Sequence, residues 1–117
     1  MPTALTLPPL TSITPSEAIL DGWRVVAGSP AMRTWELHTA IDGTMLSGYW
    51  EATPGTFHAT YTAYEFCHLI AGHLTITPDG GAPVTVRAGD AFVIEKDFVG
   101  TWTIHETARK HFCFRLG

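Results

Sequence analysis

From residue 23 to residue 116 the chain is a succession of short strand-like runs, most of them closed off by glycine, proline or aspartate. No stretch sustains an apolar period of 3.6 residues, which disfavours helical and α/β folds. The runs expected as strands are residues 23–26, 32–39, 45–52, 57–62, 66–77, 84–86, 91–94, 100–106 and 110–116. Ala27-Gly28-Ser29-Pro30, the hairpin signal Asp42-Gly43, and Pro78-Asp79-Gly80-Gly81 separate some of them. Many short strands with turn chemistry between them predict an all-β sandwich or barrel.

At 117 residues the chain holds one domain, long enough to bury a core without disulfide staples. Residues 21–117 are expected to form it, preceded by an irregular arm at 1–20. Residues 1–9 carry Pro2, Pro8 and Pro9, so the arm cannot bond fully inside a sheet. Draped along a second subunit, it would contribute to a homodimer. Thr14-Pro15-Ser16-Glu17 has the cap residue, proline and glutamate that start a helix, predicting a single turn through Leu20.

Charge and cysteine content exclude several classes of partner. The net charge is −4 with no basic run, so a nucleic-acid footprint is missing. No apolar stretch approaches membrane-spanning length, and no cation precedes an apolar core at the N-terminus. Cys67 and Cys113 are the only cysteines, so no disulfide framework is implied and a reducing cytoplasm is expected.

One ordered set of residues has a family likeness. Trp50-Glu51-Ala52-Thr53-Pro54-Gly55, Glu65-Phe66-Cys67-His68, Gly72, Thr77-Pro78-Asp79-Gly80-Gly81, Gly89-Asp90-Ala91-Phe92-Val93-Ile94, Gly100-Thr101-Trp102 and Arg109-Lys110 follow one another here. This order resembles a small cupin, and more narrowly the ureidoglycine-aminohydrolase-like cupins, many of whose short members have no assigned function. The resemblance implies a double-stranded β-helix, or jelly-roll barrel, usually dimeric, with its site in the barrel mouth.

It also raises the question of a metal. Metal-binding cupins place two histidines on one strand, a glutamate on the next and a further histidine later; side chains two apart share a strand face. Glu65, followed by Gly72, matches the glutamate of that pattern. The two upstream positions fall on Ala59 and Tyr61 or on His58 and Thr60, and the later one falls near Gly100. A tight site needs about three or four protein ligands. Glu65 and His58 are the only candidates, so a divalent metal is disfavoured.

Strand alternation sorts the remaining candidates. With Glu65 inward, Cys67 and Leu69 share its face while Phe66, His68 and Ile70 look outward. An inward carboxylate is costly unless paired or used, and Lys110 is the natural partner. The pair reads as an acid–base pair or substrate anchor, or equally as a structural ion pair. Cys67 reads as a small buried hydrophobe, since no activating base is evident unless His58 shares the interior. Trp50, Tyr61, Phe92 and Trp102 suit a stacking wall for a planar or sugar-like ligand, or ordinary core packing. His38, His73 and His105 read as surface or edge residues.

Three functions are compatible with this pattern. The chain is an enzyme acting on a small polar metabolite, a ligand-binding or sensing domain, or a structural dimer with a buried polar network.

Overall fold

In the computed structural model, which describes residues 2–116, eight strands account for nearly all the regular structure. They are β1 (Trp23–Ala27), β2 (Met32–Thr39), β3 (Met45–Ala52), β4 (Gly55–Thr60), β5 (Glu65–Pro78), β6 (Val84–Arg87), β7 (Ala91–Ile94) and β8 (Val99–Arg115). The expected bounds of β2, β3 and β7 agree with those observed.

The last two expected strands are a single one. Glu106-Thr107-Ala108-Arg109 contains neither glycine nor proline, so nothing forces a turn. Instead β8 changes partner along its length, pairing with β4 through Val99–Ile104 and with β3 through Ala108–Arg115. Its other edge pairs with β5 from end to end, interrupted by register shifts near Ala71 and His73.

All strand pairings are antiparallel, with the order β1-β4-β8-β3-β2, and β5 joins β6 and β7 to the far edge of β8. The long strands β5 and β8 therefore bend to serve both walls of a closed jelly-roll barrel. Gly72 makes the bend in β5 at φ 97°, where a side chain would strike the backbone of Thr107 and Ala108.

The helical expectation at 14–20 is not met. Ser16 instead exchanges backbone hydrogen bonds with Thr34 of β2, both at 2.9 Å, so the backbone polar groups that a helical turn would have used are satisfied at a sheet edge. Among the described residues the one helical turn is 3-10, at Leu10–Ser12, directly after Pro9. Farther back, Pro2, Thr3, Leu5 and Leu7 lie beside His38, Ala40, Ile41 and Asp42 of the β2–β3 hairpin.

Alternation builds the interior. Along β5, Glu65, Cys67 and Leu69 are buried while Phe66, His68 and Ile70 are exposed. The core joins Trp50, Phe57, Leu69, Leu74, Ile76, Trp102, Ile104 and Phe112. At roughly 25 cal/mol per Å² of buried apolar surface, these aromatic and branched side chains dominate the driving force for closure. Two charged residues lie among them, Glu65 and Lys110.

Candidate functional site: a buried Glu65–Lys110 pair under an aromatic cover

Glu65 begins β5 and Lys110 sits late in β8. Lys110 lies opposite Leu69, not Glu65, so its side chain runs back along the inner face to reach the carboxylate. Its Nζ donates to Glu65 Oε2 at 2.8 Å and to Cys67 Sγ at 3.4 Å on the way. Tyr61, just past β4, donates its hydroxyl to Glu65 Oε1 at 2.7 Å. Both carboxylate oxygens are thus engaged.

Aromatic faces complete the surroundings of the ammonium. Lys110 Nζ lies 4.8 Å from the Trp50 ring centroid and 4.7 Å from that of Trp102, a geometry in which the ring quadrupoles attract the cation. Trp23 closes the assembly, its ring 5.1 Å from Trp102, 5.8 Å from Trp50 and 6.0 Å from Tyr61. Beneath this cover is a cavity of about 50 Å³, lined by Leu20, Trp23, Thr34, Trp50, Tyr61, Glu65 and Lys110 among others. Among the described residues, three polar atoms in this part of the core lack a partner: Trp50 Nε1, Trp102 Nε1 and Thr34 Oγ1.

Burial governs the electrostatics. It pushes the Tyr61 hydroxyl well above the usual tyrosine range, and the neighbouring Glu65 charge adds to the effect. It likewise raises the Cys67 thiol far from ionisation, against the pull of Lys110. For Lys110, burial opposes the ammonium, but Cys67 and Glu65 together outweigh it and lift the pKa above that of an ordinary lysine. At neutral pH Lys110 is therefore an ammonium, Tyr61 a neutral phenol and Cys67 a thiol that is not nucleophilic.

The structure brings together five of the residues singled out in the sequence, Glu65, Lys110, Tyr61, Cys67 and Trp102, with Trp50 as a sixth. It does not bring in His58. Phe57 and Ala59 take the inner face of β4, so His58 points outward, where Nε2 lies 3.1 Å from Asp79 Oδ2. The inner register is therefore Ala59 and Tyr61, the one without histidine. His68 also faces outward, opposite His111. His73 and His105, expected as surface or edge residues, lie with ring centroids 4.6 Å apart at a 39° tilt, and His105 Nε2 is 2.9 Å from the Thr75 hydroxyl.

A metal does not fit the inner residues. Glu65 and His58 lie on opposite faces of the barrel wall, and Gly100 has no side chain to offer. Among the described residues no three His, Cys, Asp or Glu side chains converge. The place beside Glu65 that a cation would take is held by the Lys110 ammonium.

Trp23, Thr34 and Leu20 are the residues that sequence reasoning missed. Trp23 was legible only as the start of a strand, because its role depends on the chain folding back over the barrel mouth. Gly22, at φ 81° with its backbone against Thr60, permits that approach. A wider open groove of about 1100 Å³ lies elsewhere, along Thr62, Tyr64, Lys96 and Arg115. It contains none of the residues that carry buried charge, and chemistry favours the smaller cavity.

Known proteins place this architecture. The chain superposes on the Clostridium difficile EutQ protein with a TM-score of 0.68 and 25% identity, over 75% of this chain and 70% of that one. A Pseudomonas syringae pv. tomato protein of unknown function, from the DUF861 family, gives 0.74 at 24% identity, over 86% of this chain and 43% of that one. Ectoine synthase from P. lautus gives 0.72 at 14% identity, over 96% and 78%. These last two likenesses are of fold alone. No curated protein sequence matches the chain, and the likenesses above do not single out the ureidoglycine-aminohydrolase-like group. The EutQ-like cupin domain matches residues 39–112, taking in Trp50, Tyr61, Glu65, Trp102 and Lys110, and the chain belongs to that family.

Proposed function

We propose that the chain is a small-molecule-binding cupin whose ligand is held inside the barrel beside Glu65 and Lys110. The observation that carries this reading is the pair itself. An ammonium and a carboxylate, each 2% exposed, have been taken out of water at a cost that well-packed apolar residues would avoid. Their setting suits chemistry on a small polar metabolite, with Glu65 as acid or base and Lys110 as the anchor for a developing negative charge. The ligand enters by displacing Leu20 and Trp23, which makes the aromatic cover a gate.

The protein works as a homodimer in a reducing compartment. Phe66, Ile70 and Val93 form an exposed apolar group on the outer face of β5 and β7, at 45%, 43% and 41% exposure, and the free thiols Cys67 and Cys113 suit such a compartment.

A second reading has one observation in its favour. Both oxygens of Glu65 are already bonded by Tyr61 and Lys110, as in a buried network that needs no ligand. Thermal melting against ureido, amino-acid and sugar-like compounds separates the two. The wild type is compared with the double variant Glu65→Leu/Lys110→Met, which removes both charges together. Stabilisation of the wild type alone supports the binding reading; stabilisation of neither protein by any compound leaves the structural network.

A further inference from the structure

We propose that the cavity beneath Trp23 selects a small uncharged molecule of about four heavy atoms whose polar end accepts hydrogen bonds, a primary carboxamide being the simplest case. The inference rests on the binding reading above and names the ligand class for that site. Charge, hydrogen bonding and size each narrow the choice.

Charge comes first. Lys110 and Glu65 neutralise one another at 2.8 Å inside a wall of aromatic rings. A further anion or cation would enter as an unpaired buried charge, which is the most expensive form of burial. The occupant is therefore neutral overall.

The hydrogen-bond inventory sets its polarity. Glu65 already accepts from Tyr61 and Lys110. Trp50 and Thr34 line the cavity, and the indole N–H of one and the hydroxyl of the other are buried with no partner. An indole nitrogen only donates, and a hydroxyl can donate. The unmet demand is thus for an acceptor, met by a carbonyl oxygen and not by an ammonium or a hydrocarbon. Buried polar groups left unpaired disfavour analogues that cannot supply the bond.

Size follows from the cavity of about 50 Å³. A water-sized centre needs roughly 10–15 Å³ of such space, which gives room for about three or four heavy atoms while Trp23 stays in place. Planar carboxamides of this size also suit the flanking indole faces.

The test uses acetamide, with acetate and methylammonium as charged counterparts, followed through the indole N–H resonances of the full chain. Ligands are titrated from about 10 µM to about 100 mM, the span that molecules of this size cover. Acetamide is expected to shift the Trp50 resonance saturably, with acetate and methylammonium at least tenfold weaker. Trp50→Phe and Thr34→Val are each expected to weaken acetamide about tenfold, the loss of one buried hydrogen bond. Equal or tighter binding of acetate overturns the proposal, as does a shift that never saturates, the mark of a cavity holding water only. If larger metabolites stabilise the wild type while acetamide does not bind, this inference fails and the binding reading survives. If nothing binds, both fail.

Discussion

Lys110 reaches Glu65 diagonally across the inner face of the barrel, from a backbone position opposite Leu69, and passes Cys67 on the way. The register between β5 and β8 is therefore what makes the pair, and any slip by one residue would turn one member out to solvent.

Removing one member alone should destabilise the fold. Glu65→Gln or Lys110→Met leaves an unpaired buried charge, at a cost of about 3–5 kcal/mol. The double variant Glu65→Leu/Lys110→Met should recover most of that loss, since neither charge is then stranded. Urea unfolding of the four proteins gives the coupling directly. Single variants within about 0.5 kcal/mol of wild type would show that the pair is not held out of water as described.

Much of this site could be read from the chain before its fold was known, and the reason is periodicity. Alternation along β5 put Glu65 and Cys67 inward and His68 outward, because a strand has only two faces. It could not decide between Ala59/Tyr61 and His58/Thr60, since that choice depends on where the turn before Glu65 ends. Trp23 was beyond reach for another reason. Its neighbours come from β3, β4 and β8, and no local pattern records which segment folds back to cover a barrel. The expected helical turn at 14–20 failed on the same kind of event, a tertiary bond from Ser16 to the edge of β2 overriding local cap chemistry.

Trp23→Ala should open the barrel mouth. Cys67 is fully buried, so in a Cys113→Ser background the wild-type cover should leave it unreactive towards a thiol reagent. Removing the indole should raise the labelling rate at least tenfold and lower stability by about 1–3 kcal/mol, less than for a wholly buried tryptophan. Unchanged labelling would place the entry route elsewhere.

Alkaline pH should weaken the protein in two stages. The folded state keeps Cys67 as a thiol and Tyr61 as a phenol beyond their ordinary ranges, and keeps Lys110 protonated likewise. Above the unfolded-state pKa of each group the unfolded chain binds fewer protons, so stability falls as pH rises. Cys67 acts first, from about pH 8.5, and Tyr61 and Lys110 follow above about pH 10, each worth roughly 1.4 kcal/mol per pH unit. Cys67→Ala should delay the onset to about pH 10. Melting temperatures between neutral and alkaline buffers measure both limbs, and an onset that Cys67→Ala does not move refutes the assignment.

The proposed homodimer makes the last prediction. Phe66 and Val93 face one another across the β5–β7 ladder on the exposed side, and Ile70 lies on the same face of β5. An apolar group of this kind on the outer wall is the usual mark of a subunit contact. Phe66→Lys places a charge at its centre without touching the core, because its side chain points away from Glu65 and Cys67. Sedimentation of that variant should show monomers at concentrations where the wild type is dimeric, with the melting temperature of the barrel little changed. Removal of residues 1–10 measures the arm's share: if the arm drapes over the second subunit, its loss should also yield monomers. A dimer that persists in both would mean that the contact lies on neither surface.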